Sequence, residues 1–208
     1  NFFFNETATT EIYTNCSYST IRHNIIRDTK GGMESSGPWS NLAQGIWPEF
    51  LRDFHHNVIE NNTVVGSGCA GLFLVNNFDN TVTGNVLYDN AGGQIRLGGK
   101  ATNPATGRTE NLPQNHYFEG NILYSTDENQ RSIRFDPDFH YGRMRYNYFC
   151  NPYSVLLFDE EDGTPLLNLE QWQALHYWSD PHAMTDLEKL DHVPDDQNPI
   201  GRSEIYIN

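Results

Sequence analysis

Apolar residues recur along this chain in one short phrase: an apolar residue, two spacers, an asparagine, a spacer and a second apolar residue. It reads Ile21-x-x-Asn24-x-Ile26, Ile59-x-x-Asn62-x-Val64, Val82-x-x-Asn85-x-Leu87, Phe118-x-x-Asn121-x-Leu123 and Met144-x-x-Asn147-x-Phe149. Self-similarity with one polar residue held in phase marks a solenoid. The asparagines lie 38, 23, 36 and 26 residues apart, so the shortest interval sets the coil and the longer ones hold inserted loops. A coil of that length suits three short strands, whereas α-solenoid repeats need two helices and usually about 30 to 45 residues. After each phrase comes an alternating stretch, at residues 45–49, 71–75, 93–97, 132–136 and 154–158. Alternation of this kind gives a strand one buried and one exposed face. It predicts Ile46, Leu72, Ile95, Ile133 and Val155 inside.

These phrases and strands, over residues 18–158, resemble the right-handed parallel β-helix of polysaccharide-processing proteins. The resemblance implies an all-β solenoid of about five coils, with right-handed crossovers. It also implies that Asn24, Asn62, Asn85, Asn121 and Asn147 stack, each amide bonding to the next, since buried amides need such partners. The expected organisation is a β-helix over residues 1–158, with insertions near 35–44 and 98–114, then a cap and an irregular tail over 159–208. The cap is a short helix at residues 168–175, with Asn168 as its N-cap and Leu169, Trp172 and Leu175 at helical spacing. The apolar opening Phe2-Phe3-Phe4 needs a partner, and five coils are few for a fold whose ends must be covered. A piece of a longer β-helix is therefore expected, with the rest of that chain as a partner.

A formal net charge of −14 with three lysines argues against nucleic acid and anionic membranes, which need clustered cations. No apolar run is long enough to span a bilayer. Cys16, Cys69 and Cys150 lack metal-type spacing and read as buried thiols. No cofactor is expected. Ca²⁺ is considered only at the Asn- and Asp-rich residues 76–80, where turn and stacking roles come first. The composition suits a secreted, periplasmic or cell-surface carbohydrate protein.

The outward strand face carries the functional expectation. If the inward set is right, Trp47, Phe73, Arg96, Arg134 and Leu156 form one outer column, about 4.8 Å apart per coil. Glu49, Val75, Gly98, Asp136 and Phe158 form a second. Aromatic faces, guanidiniums and carboxylates together match the C–H faces and hydroxyls of an elongated sugar chain. Arg96 beside Arg134 needs an anionic offset, for which Asp136, Asp138 or a substrate carboxylate or sulfate are candidates.

Gly45-Ile46-Trp47-Pro48-Glu49 is similar to a segment of β-helix glycosidases of the β-xylosidase type, whose acidic residue is the nucleophile. The resemblance places Glu49 on that position and Val75 where the family's acid/base glutamate stands. Hydrolysis needs two carboxyl groups about 5 to 9.5 Å apart. Glu49 and Asp136, three coils apart, would be separated by about 14 Å. Glu34 and Asp53 are therefore the nearer candidates for the second carboxylate. Trp39 is a candidate sugar-binding wall. The expected function is a glycoside hydrolase acting on a polysaccharide or oligosaccharide. A uronate lyase is the first alternative, using Arg96, Arg134 and Arg143 with His116 or His140 as base. A non-catalytic glycan-binding or structural β-helix is the second.

Overall fold

The computed structural model describes residues 2–4, 10–14, 17–29, 44–48, 55–75, 77–98, 100–103, 108–111, 115–135, 142–160, 163, 165–176, 179–183 and 185. The fold is an all-β parallel solenoid. It opens with β1 (Phe2–Phe4) and β2 (Thr10–Thr14). Five three-strand coils follow, the first being β3 (Thr20–Arg22), β4 (Ile25–Arg27) and β5 (Gln44–Pro48). The second is β6 (Val58–Glu60), β7 (Thr63–Val65) and β8 (Ala70–Val75), and the third β9 (Thr81–Thr83), β10 (Val86–Tyr88) and β11 (Gly93–Gly98). Within the interval expected to hold a loop near 98–114, β12 (Lys100–Asn103) and β13 (Arg108–Asn111) pair as an antiparallel hairpin. The fourth coil is β14 (Tyr117–Glu119), β15 (Ile122–Tyr124) and β16 (Ile133–Phe135). The last is β17 (Arg143–Arg145), β18 (Tyr148–Cys150) and β19 (Phe158–Glu160), closed by α1 (Leu169–Leu175).

Three parallel sheets result. Sheet I is β3-β6-β9-β14-β17, sheet II is β1-β4-β7-β10-β15-β18, and sheet III is β2-β5-β8-β11-β16-β19. The asparagine phrase thus spans a corner: its first apolar residue lies in sheet I, its second in sheet II. Ile26, Val64, Leu87, Leu123 and Phe149 form one buried column and Ile59, Val82, Phe118 and Met144 another. Full burial of each such side chain contributes about 1.5–3 kcal/mol.

The corner itself is held by amides. Asn62 donates both its backbone N–H and Nδ2 to Asn85 Oδ1 at 3.0 Å, and Asn85 does the same to Asn121 Oδ1 at 3.0 Å. Asn24 feeds Asn62, and Asn121 feeds Asn147, in the same way. The second Nδ2 hydrogen reaches across a coil, as from Asn85 to the carbonyl of Ile59 at 2.9 Å. The residue before each asparagine has a left-handed backbone: His23 at φ 55°, Asn61 at 53°, Gly84 at 62°, Gly120 at 60° and Tyr146 at 55°. A Cβ on Gly84 would meet Asn61 Oδ1 at 2.6 Å, so this corner needs glycine for space as well as for φ.

Ile46, Leu72, Ile95 and Ile133 lie inside as expected, each 1% exposed. Val155 does not. It is 74% exposed, and Phe158, fully buried, takes the position paired with Ile133. The cause is the turn at Asn151, whose Oδ1 accepts the Tyr153 N–H at 2.9 Å and whose carbonyl accepts that of Ser154 at 3.3 Å. That turn delays the strand by three residues. Because residues 155–158 are all apolar, a period of two could not set their phase.

Helix α1 caps the last coil. Asn168 and Gln171 form a reciprocal capping box, and Trp172 stacks on Phe158 with centroids 4.0 Å apart. Leu175, expected on the buried face, is 64% exposed. The tail then ends the ladder: Asp180 Oδ2 accepts from Asn147 N at 2.7 Å and Nδ2 at 2.9 Å. Its Oδ1 accepts from Tyr146 N at 3.1 Å and His182 N at 2.9 Å. Burial pushes the Asp180 carboxyl above its ordinary range, and the hydrogen bonds from Asn147, His182 and Tyr146 oppose that rise.

Two stability effects are expected from this architecture. Asn85→Ala strands the Asn62 donors, and at about 1–3 kcal/mol per unsatisfied buried group urea unfolding should show a loss of about 3 kcal/mol. An unchanged urea midpoint would contradict the ladder. Asp180→Leu, which fills space without accepting, should lose at least as much, whereas Asp180→Asn can still accept from Asn147 but turns its NH2 toward the Tyr146 and His182 N–H groups, and should lose less than Asp180→Leu.

Candidate functional site

Sheet III carries the expected binding face. Its register pairs Phe73 with Arg96, Arg96 with Arg134, and Arg134 with Asp159. Trp47 follows Ile46 as Phe73 follows Leu72, and Ile46 pairs with Leu72, so Trp47 holds the next position in that row. Tyr13 pairs with Trp47 beyond it. The expected row therefore holds in register from Trp47 through Arg134.

Its last member is different. Leu156 lies outside β19, Phe158 faces inward, and Asp159 completes the row. This changes the electrostatics. Arg134 Nε lies 3.3 Å from Asp159 Oδ2, both side chains being mostly covered. The Arg96 guanidinium sits over the Phe73 ring, 5.1 Å from its centroid. Phe73 thus gives one ring face to an internal cation, worth about 0.5–2 kcal/mol, and Arg134 has a carboxylate partner within the protein. Asp159 supplies an anionic offset for Arg134, and the expected Asp136 and Asp138 lie outside the described residues. Gly93 has φ 114°, which side chains rarely adopt, and an added Cβ would crowd the Arg131 carbonyl at 3.2 Å.

A third guanidinium stands close by. Arg131 is buried and donates to the carbonyls of Glu128 at 2.6 Å and Gln130 at 3.2 Å. Burial and neighbouring Arg134 lower its pKa. Glu160, one residue beyond Asp159, contacts His176 at the end of α1, which ties the cap to sheet III. Asp159 is the residue that sequence reasoning missed. The requirement for a counter-charge was legible, but the strand phase had been set three residues early.

Glu34, Trp39, Glu49, Asp53, Asp136 and His140 lie outside the described residues, and of Trp47 only the strand position is described. Among the described residues no group of three or more His, Cys, Asp or Glu is arranged to hold a metal ion. No helix there is long and apolar enough to cross a membrane. Cys69 and Cys150 are buried.

His116 is not placed as a base. It belongs to a second ladder, at the corner from sheet III to sheet I. There Ser19 N donates to Asn57 Oδ1 at 2.8 Å and Asn57 N and Nδ2 to Asn80 Oδ1 at 3.0 Å. Asn80 N then donates to His116 Nδ1 at 3.2 Å. The ring is 1% exposed, and burial lowers its pKa from 6.5 to about 3 against an opposing hydrogen bond with the Asn77 backbone. His116 is a ladder rung in which an imidazole replaces an amide.

The same corner gathers an exposed aromatic group. Tyr18 stacks on His56 at 5.1 Å, and His55 stacks on Phe78 at 4.8 Å. His55 and His56 share a hydrogen bond between their Nδ1 atoms at 2.9 Å, and His56 Nε2 lies 3.8 Å from Asp79 Oδ2.

Compared with protein-family models, curated proteins and solved structures, the chain matches none of them.

The pH dependence of stability tests the assignment of His116. Its folded pKa is depressed, so its contribution is fully present above pH 6.5 and is lost as pH falls toward about 3. In that window the unfolded chain takes up a proton that the folded chain refuses, a slope of up to about 1.4 kcal/mol per pH unit. His116→Asn restores an amide rung. Urea unfolding at pH 7 and pH 4.5 should show a smaller loss on acidification in this variant than in the wild type; equal losses would refute the buried neutral imidazole.

Proposed function

We propose that this is a carbohydrate-active protein, a glycoside hydrolase that lays a polysaccharide or oligosaccharide along the outer face of sheet III. One observation carries the reading: Trp47, Phe73, Arg96, Arg134 and Asp159 occupy one register row across consecutive coils. Such a row repeats at the strand spacing of about 4.8 Å, close to the length of one sugar unit in an extended chain. The carboxylate of Asp159 and the guanidiniums of Arg96 and Arg134 are acceptors and donors for hydroxyls. Glu49 directly follows Pro48, the last residue of β5, beside the Trp47 position. Its resemblance to a glycosidase nucleophile is the reason for assigning it the bond-breaking role.

In the proposed reaction the bond between the anomeric carbon and the bridging oxygen breaks, and a water oxygen takes its place on that carbon. One carboxyl group protonates the leaving oxygen, and the other acts as nucleophile or activates the water. Glu49 is the second of these, with Glu34 or Asp53 as the proton donor. A secreted, periplasmic or cell-surface location belongs to this reading, since polysaccharide is met there.

The non-catalytic alternative draws on a specific feature. Asp159 is committed to Arg134, and Phe73 is covered on one face by Arg96, an arrangement suited to a rigid binding surface. The lyase alternative is weaker, because His116 is buried as a ladder rung and Arg134 already has a counter-charge.

Glu49→Gln keeps shape and removes charge. Hydrolysis of xylo-oligosaccharides, followed by reducing-end release, should fall at least about 10²-fold with the melting temperature retained. Wild-type turnover in that variant would refute the role of Glu49. Failure of the wild type to cleave any glycan, with binding to sheet III still lost in Phe73→Ala, would leave the binding alternative.

A further inference from the structure

The exposed corner from sheet III to sheet I carries a second set of side chains arranged for a ligand. Tyr18, His56 and Asp79 hold equivalent positions in three successive coils, each with a left-handed backbone at φ 54°, 54° and 53°. Each precedes a rung of the second ladder, Ser19, Asn57 or Asn80. Asp and Asn tolerate that conformation best among non-glycine residues, and bulky side chains poorly. Asp79 and Asn115 suit the corner on those grounds. Tyr18 does not, yet it stands there with 76% of its surface exposed.

Its ring is set rather than loose. It stacks on His56 with planes 25° apart and meets the edge of His55 at 5.3 Å, while His55 in turn stacks on Phe78. Four rings from three coils make a ridge, backed by the bridge between the backbones of His55 and Phe78. On this ridge the His56 Nε2 to Asp79 Oδ2 separation is 3.8 Å. That is too long for a direct hydrogen bond and suits one hydroxyl between them, about 2.8 Å from each.

We propose that this corner is a saccharide subsite, in which a neutral pyranose ring lies on Tyr18 and places one hydroxyl between His56 Nε2 and Asp79 Oδ2. In the tautomer in which His55 Nδ1 donates to His56 Nδ1, His56 carries its proton on Nε2 and donates it to that hydroxyl, which donates its own to Asp79. The carboxylate of Asp79 and the net charge of −14 select a neutral sugar unit over a uronate or sulfated one. The subsite runs parallel to the Trp47 to Asp159 row, one corner away, on the side where β5 and β8 end. The inference rests on the proposed reading that the ligand is a saccharide, and adds where a neutral unit of it is held.

Calorimetry and saturation-transfer NMR with xylohexaose and cellohexaose, and with a galacturonate hexamer as the acidic probe, test the subsite. Tyr18→Gly removes the ring while relieving the backbone, so its melting temperature should hold or rise. Its affinity for a neutral hexamer should fall about tenfold or more. Asp79→Asn keeps the corner geometry and should weaken the same probe. Phe73→Ala reports separately on sheet III. Loss in Tyr18→Gly with wild-type binding in Phe73→Ala supports the subsite and removes the sheet III reading; the reverse overturns the subsite alone. Loss in both variants supports both. Binding of the acidic hexamer only, or of none of the probes, overturns the subsite.

Discussion

The structure depends on a requirement of its corners: a backbone that turns sharply between two parallel strands exposes amides to the interior, and something buried must pair with them. In this chain a side-chain amide does so, accepting with its oxygen from the coil before it and donating to the coil after it. Each rung supports its neighbours, because loss of one leaves donors unpaired in the next. The left-handed residue before each rung aims the asparagine inward, and this is why His23, Asn61 and Tyr146 share a conformation usually left to glycine. Local backbone cost is offset by cooperative burial. With the corners set, the three sheets stack in register and their inner faces close over one apolar core.

The same register that builds the core builds the outer face. Residues with the same phase in successive coils become neighbours at strand spacing, so like charges meet unless opposite charges or rings intervene. Sheet III shows both remedies, with Arg96 over Phe73 and Arg134 against Asp159. Sheet I uses ion pairs, Arg22 with Glu60 at 3.8 Å and Arg145 with Glu119 at 3.5 Å, and Arg145 also lies over the Tyr146 ring at 4.5 Å. Tyr117 adds a 2.7 Å hydrogen bond to Glu119, and burial together with that carboxylate pushes its hydroxyl up to about 12. Sheet II carries Arg27 and Thr63 outside at β4 and β7 but is mainly apolar outside from β10 to β18, with Ile122 and Tyr148 buried on its outer side and Tyr88 stacked on Tyr124. The three outer faces are chemically distinct, and among the described residues sheet III alone combines aromatic, cationic and anionic groups in one row.

Termination of the solenoid is a separate problem, met by residues far apart in character. Trp172 covers the end of the core, and Asp180 accepts at the end of the ladder where the next coil would have offered an asparagine. A carboxylate suits that place because it only accepts, and every group facing it is an N–H. Gln173, on α1, donates to the Asp180 carbonyl at 2.5 Å, so the helix and the ladder cap form one unit.

Sequence alone was enough for the coil and its three-strand period, because each is a local pattern repeated in phase, and for the cap helix, whose capping residue and apolar spacing are local; the stacking of the asparagines is implied by the resemblance to β-helix proteins. Ile46, Leu72, Ile95 and Ile133 could be placed inside by alternation, and Arg96 beside Arg134 by counting. Tertiary structure decided what repetition could not. A turn of three residues at Asn151 moved the last strand and put Asp159 where Leu156 had been expected. His116 looked like a base from its residue type, yet its place in a ladder makes it a neutral acceptor, since only the coil before it shows that the Asn80 N–H points at its ring. Asp180 lay in a stretch that reads as irregular chain, and its role follows from its contact with Asn147, 33 residues earlier. Periodicity is written in the sequence because every coil must satisfy the same corner; the contacts that break the period are not, because they are set by which ends and turns meet in space.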